Sequence, residues 1–214
     1  MKLTGTLLLL VSLIMFSSCS KQADTIVSPE PLSQKSVFVD PVSGKDNNNG
    51  REISSPYKTL KKAAASAVNG DTIFMKGGTY TAFKDEMVKT STELAYIVIK
   101  PYPNQSVILD GTGASFTDGE AILTIKNSSY VEISGFEIRN NLSGAGINVL
   151  SENKYCDNIR ISNCIIHDTK ASGIYAGSSN LSVTGCEIYN TCLNNQNRAL
   201  GDNGAWHAAI EYYF

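Results

Sequence analysis

The sequence predicts an all-β fold, a right-handed parallel β-helix with three short strands per coil and about four to five coils. Three observations predict it. Residues 130–141, 158–169 and 180–191 superimpose without gaps. Each segment alternates apolar and polar residues in two short runs separated by Ser, Asn, Thr or Gly, the pattern of half-buried strands joined by a tight turn. A third run follows in each: Gly146-Ile147-Asn148-Val149, Gly173-Ile174-Tyr175-Ala176 and Ala209-Ile210-Glu211-Tyr212.

The spacing supplies the period. Phe136 to Cys164 is 28 residues and Cys164 to Cys186 is 22. Three strands in a repeat of the low twenties mark a solenoid whose coils bury their inner side chains only by stacking. Inner columns follow, with Ile133, Ile161 and Val183 in one and Ile138, Ile166 and Ile188 in another. The difference between the two spacings places the insertions in turns. A short N-terminal helix is predicted to cap the stack, beginning at Ser55-Pro56, carrying Leu60, Ala64, Ala67 and Val68 on one apolar stripe and ending at Gly70. Thr72 to Met75 then opens the first strand.

The termini read differently from the repeats. Lys2 precedes an apolar run over residues 7–16, too short to span a bilayer. The run ends in Phe16-Ser17-Ser18-Cys19, which resembles a bacterial lipobox with Cys19 as the acylated N-terminus; the alternative is an ordinary signal peptide with an incidental cysteine. On the lipobox reading residues 1–19 are the leader and 20–36 a flexible tether. Residues 37–214 are the β-helix domain, and the protein is held to the cell envelope, on the periplasmic or outer-membrane surface, through its lipid alone. The last residues, Tyr212-Tyr213-Phe214, fall inside a strand, so the domain is expected to be incomplete at its C-terminus.

Composition narrows the partners. Net charge is −2 and only 18% of residues are charged, so no basic stripe points to a nucleic-acid partner. The chain is expected to act as a monomer. Cys156, Cys164, Cys186 and Cys192 remain after Cys19, which invites a disulfide reading. Cys164 and Cys186 share the column of Phe136, however, and in-register parallel side chains have poor bridge geometry, so free thiols are expected.

Several stretches resemble the opening of bacterial pectate-lyase-like β-helix proteins, including family-nine polysaccharide lyases. They are residues 37–46, Asn49-Gly50, Ser55-Pro56-Tyr57-Lys58-Thr59-Leu60 and residues 70–80, 96–103 and 107–111. The resemblance implies a glycan groove along the strand after the longest turn, an acidic polysaccharide as partner and β-elimination as chemistry. That reaction needs a base, a cation on the uronate carboxylate and donors for the developing enolate.

On this strand alternation places Asn148, Tyr175 and Glu211 outward in one column, either as a sugar-binding surface or as an ordinary solvated face. Trp206, on the long turn over residues 190–208, either stacks on a sugar ring or seals the loop. Lys170, Arg198 and His207 are the candidate bases, each with solvated surface as the alternative. The resemblance also implies Ca2+ held by clustered aspartates. Asp168, Asp202 and Glu211 are the acids that remain, while Ala171-Ser172-Gly173 stands where the related lyases carry an Asp-rich cluster. His167 aligns with Arg139 and Tyr189 and reads as a surface residue. A non-catalytic glycan-binding or structural β-helix is the alternative function, and a glycosidase using Asp202 and Glu211 is a third.

Overall fold

Residues 36–193 and 208–213 are described by the computed structural model. Cys19, Arg198, Asp202, Trp206 and His207 lie outside them. The described chain forms three parallel sheets wrapped around one core. Sheet I contains β1 (Ser36–Val39), β2 (Thr72–Met75), β5 (Ile97–Pro101), β8 (Ser129–Ser134), β11 (Asp157–Ser162) and β14 (Leu181–Thr184), in that spatial order. Sheet II contains β3 (Gly78–Tyr80), β6 (Val107–Asp110), β9 (Phe136–Asn141), β12 (Ile165–Thr169) and β15 (Glu187–Tyr189). Sheet III contains β4 (Asp85–Met87), β7 (Leu123–Lys126), β10 (Ile147–Leu150), β13 (Ile174–Gly177) and β16 (Ile210–Tyr213). Each coil visits the three sheets in turn, so every strand pairs with its counterpart one coil away. The fold is a parallel β-helix.

The predicted columns are present and longer than the repeats alone suggest. In sheet I, Val37, Ile73, Ile99, Ile133, Ile161 and Val183 are successive partners. In sheet II the column runs Tyr80, Leu109, Ile138, Ile166 and Ile188. In sheet III, Leu123, Ile147, Ile174 and Ile210 line up. Ile133, Ile161, Ile138 and Ile166 are fully buried; each such side chain contributes about 1.5–3 kcal/mol when moved from water to the interior. Cys164 is also fully buried, and Cys186 packs half-buried against the same core. Both thiols are free, as expected, as are those of Cys156 and Cys192.

The corners explain the polar punctuation. Between sheets I and II, Gly135, Asn163 and Gly185 adopt positive φ (79°, 52° and 62°). Where the strands of sheet II end, ahead of sheet III, Asn140, Asp168 and Asn190 do so (65°, 55° and 48°). Gly and Asn tolerate this left-handed geometry better than other residues. Just inside the second corner, Asn141 is fully buried and fully satisfied. Its Oδ1 accepts from the amides of Ser143 (3.0 Å) and Gly144 (2.9 Å), and its Nδ2 donates to the carbonyls of Glu120 and Ala145 (both 2.8 Å).

Two predicted features of the N-terminal part are corrected. The helix, α1, spans Leu60–Ser66 and does not begin at Ser55-Pro56. Thr59 is its N-cap, accepting from the Lys62 amide at 3.1 Å, and the Asp46 carboxylate holds the Lys58 and Thr59 amides at 2.9 and 3.0 Å. A side-chain oxygen that reaches a first-turn amide decides the start, and Ser55 is not placed to do so. The buried stripe is Leu60, Ala63, Ala64 and Ala67, whereas Val68 is 49% exposed. The helix ends at Ser66, with Ala67 as its extended C-cap, ahead of Gly70. Thr72 to Met75 is also not the first strand, because β1 precedes it and pairs with it residue for residue.

Candidate functional site

Sheet III presents the outer face on which the candidate column was placed. Thr124, Asn148, Tyr175 and Glu211 are successive partners there, preceded by Glu86. The predicted column therefore exists, but its members are not equally available. Glu86 is closed off by an ion pair with Lys61 at 2.9 Å, whose hydrogen bond pulls its carboxyl below the usual range.

Asn148 is a correction. It is 3% exposed, not solvated, because its Nδ2 donates at 3.0 Å to the carbonyl of Gly119 in the segment between β6 and β7. Among the described residues its Oδ1 accepts no hydrogen bond. Strand alternation gave the direction of its side chain correctly. The covering segment lies outside the repeat, so nothing in the alternation announced it.

Tyr175 and Glu211 form the open part. The Tyr175 ring lies 4.7 Å from that of Tyr213, at 33°. Burial, then the neighbouring Tyr175, push the Tyr213 hydroxyl above its ordinary value. Glu211 is half-buried and accepts from Ser172 Oγ at 2.9 Å. Beside this pair is an open hollow of about 420 Å³, lined by Ser151, Tyr155, Ser178 and Tyr213. Tyr155 is 79% exposed on its rim. An aromatic pair flanked by hydroxyls and one carboxylate suits a sugar ring, which offers C–H bonds on its faces and hydroxyls on its edge.

The other named residues lie elsewhere. Lys170 stands in the corner between sheets II and III, its amide donating to the Asn141 carbonyl at 2.7 Å. Asp168 occupies a left-handed corner position where the neighbouring coils have Asn. Its Oδ2 is 2.7 Å from His167 Nδ1, and its Oδ1 accepts from Asn190 Nδ2 at 3.3 Å. Glu211 belongs instead to the face of sheet III. Among the described residues no three His, Cys, Asp or Glu side chains converge on a metal position. The described acids therefore do not fit a calcium site, which needs several oxygens around one point.

His167 is a second correction. It does align with Arg139 and Tyr189, yet only 8% of it is exposed. The Tyr189 ring stacks on it at 4.7 Å and 7°, while Asp168 and Glu137 (3.4 Å) flank its nitrogens. One coil back, Arg139 pairs with Asp110 at 2.9 Å and Glu137 at 2.8 Å. Burial raises the Asp110 carboxyl, but hydrogen bonds from Thr112, Asn140 and Arg139 outweigh it and hold the group well below the ordinary range. An outward position is covered wherever a large ring lies on the next rung, and aligning Tyr189 with His167 was the available signal.

Comparison with known proteins fits this architecture. The family described as "Pel9A-like, right handed beta helix region" matches residues 37–209. The chain belongs to the Pel9A-like right-handed β-helix family. Among curated proteins, this Pel9A-like chain is 30% identical over 130 residues to pectate lyase PEL9 of Emericella nidulans, covering 56% of this chain and 31% of that protein. It is 28% identical over 104 residues to the uncharacterized protein YwoF of Bacillus subtilis, covering 48% of this chain and 22% of that one. The Pel9A-like chain thus spans less than a third of the length of either curated relative. Among solved structures it is similar in fold to pectate lyase Pel9A, with TM-score 0.59, 19% identity and coverage of 73% of this chain and 40% of that chain. It is also similar to the alginate lyase of a Paenibacillus species, with TM-score 0.51, 23% identity and coverage of 63% and 43%. The pectate-lyase-like class and the handedness of the coil both stand.

Proposed function

We propose that this protein binds an acidic polysaccharide along the outer face of sheet III. The adjacent Tyr175 and Tyr213 rings beside an open hollow carry the reading. The tyrosines would stack on successive sugar faces, and Glu211, held by Ser172 Oγ, and Tyr155 would meet hydroxyls. The acidic character of the ligand is supported by family membership and by the relative named as a pectate lyase. Acylation at Cys19 and the tether over residues 20–36 would hold the domain, as a monomer, at the cell envelope, within reach of extracellular glycans.

β-Elimination is the second reading, favoured by the 30% identity to PEL9. In it a base takes the proton α to the uronate carboxylate, the electron pair forms a new C=C bond, and the glycosidic C–O bond breaks. Lys170 is the described candidate, at the corner leading into β13, and Arg198 and His207 are the others. No step is assigned to Ca2+.

Both readings are tested by giving the full chain polygalacturonate and alginate separately. Binding predicts retention on the immobilised glycan, weakened about five- to tenfold in Tyr175→Ala by loss of a ring contact of roughly 1 kcal/mol. Elimination predicts, in addition, ultraviolet absorbance from unsaturated ends. Retention indifferent to Tyr175→Ala would overturn the assignment to sheet III; retention without absorbance would remove the elimination.

A further inference from the structure

Sheet I carries a second concavity on its own outer face. It measures about 520 Å³ and is lined by Tyr96, Asn158, Arg160, Asn180, Ser182 and Tyr212, among others. Arg160 lies in the outward column between Glu132 and Ser182. Its guanidinium carbon stands 3.9 Å from the centroid of the Tyr96 ring, and Tyr130 meets Tyr96 edge-on at 5.6 Å. A planar cation stacked on a ring loses conformational freedom while its N–H edge remains directed outward.

Two nearby carboxylates accept from other donors. Asp157 accepts from Asn158 Nδ2 at 2.9 Å and Asn180 Nδ2 at 2.8 Å, and Glu132 accepts from Ser162 Oγ at 3.0 Å. Among the described residues Arg160 makes no ion pair; its recorded partner is the Tyr96 ring. On the far wall Tyr212 Oη donates to the carbonyls of Ser178 and Ser179, which fixes its ring at the corner between sheets III and I.

We propose that this concavity is a second glycan subsite, on a different sheet from the first, which takes a carboxylate-bearing sugar through Arg160. The free fork of a guanidinium matches both oxygens of a carboxylate, and charge-assisted pairs of this kind are the strong ones. Asn158, Asn180 and Ser182 line the same concavity with amide and hydroxyl groups, and Tyr96 with Tyr212 supplies aromatic surface. The inference shares its ligand class with the proposed function but not its residues. Two faces that each hold a uronate would let one molecule engage two stretches of polymer, raising retention beyond either contact alone.

The test is a binding titration of the full chain with a galacturonate trimer and with a neutral galactose trimer. It is run on the parent protein, Arg160→Ala, Arg160→Lys, Tyr175→Ala and Tyr175→Ala/Arg160→Ala. Arg160 is exposed, and an unchanged thermal melt confirms that its variants fold. We expect Tyr175→Ala to retain galacturonate binding at one site. Adding Arg160→Ala should weaken that site about tenfold, the equivalent of about 1.4 kcal/mol. Arg160→Lys should recover only part, since a point charge cannot pair bidentately. Binding at this site should weaken as salt rises and should be absent for the neutral trimer. Unaltered galacturonate affinity in Arg160→Ala, or equal affinity for the neutral trimer, overturns the proposal. Loss confined to Arg160 variants, with Tyr175→Ala unchanged, would sink the sheet III reading and leave this one standing. No binding to the parent protein removes both.

Discussion

Replacing Ile161 by alanine probes the stacked core at its centre. The side chain is fully buried, with Ile133 on one rung and Val183 on the next. The change removes about three methylene equivalents at about 0.8 kcal/mol each, or about 2.4 kcal/mol of transfer free energy. A cavity between two rungs held apart by backbone hydrogen bonds cannot collapse fully, so the total should reach about 3–4 kcal/mol. Ile165 provides the internal control. It lies four residues away on the outer face, between Glu137 and Glu187, and is 38% exposed. The same substitution there should amount to less than about 1 kcal/mol. The measurement is urea unfolding of the full chain. With a slope of about 2 kcal/mol per molar, Ile161→Ala should lower the midpoint by about 1.5–2 M and Ile165→Ala by less than about 0.5 M. Equal shifts, or a larger one for Ile165→Ala, would refute the assignment of inner and outer faces.

Two further outcomes are expected. Burial raises the Asp40 carboxyl, but Lys76 at 2.8 Å, Ser43 and Val42 outweigh this and lower it to about 2. Its folded value lies below its unfolded one, so the stability it supplies is complete above about pH 4 and lost as pH falls through about 2. That contribution is of order 2 kcal/mol, and Asp40→Asn should make the slope of stability against pH in this window shallower by that amount; an unchanged slope would contradict the assignment. For the thiols, Cys156 and Cys164 are fully buried while Cys186 and Cys192 are half-buried. Iodoacetamide on the native chain should label the latter pair first, as read by mass spectrometry. A disulfide under non-reducing conditions, or equal labelling of all four, would contradict the free, graded thiols.

Much of this was legible because a coil repeats its environment. Ile133, Ile161 and Val183 occupy one physical position three times over, and gap-free alignment finds such positions without knowledge of distant contacts. The outward direction of Asn148, Tyr175 and Glu211 followed from alternation for the same reason. What escaped the sequence depends on parts that occur once. Asn148 is covered by a segment with no counterpart in the next coil, and His167 by a ring that stands above it on only one rung. The helix start moved from Ser55 to Thr59 because Asp46, distant in sequence, holds the Lys58 and Thr59 amides. The Arg160 concavity was not legible although its column aligns, because Tyr96, just ahead of β5, precedes the first repeat.

The two kinds of corner divide the molecule into a strict edge and a tolerant one. Over the last three coils the chain turns from sheet I to sheet II within one or two residues, led by left-handed Gly135, Asn163 or Gly185, whereas β5 and β6 are joined through residues 102–106. From sheet II to sheet III the connection runs from Asn141 to Ile147 in one coil and from Thr169 to Ile174 in the next, with the columns still matched. Mutational drift can thus lengthen, shorten or recharge the connections bordering sheet III while the scaffold beneath keeps its alignment. Ligand preference could be retuned there repeatedly without the protein having to learn to fold again.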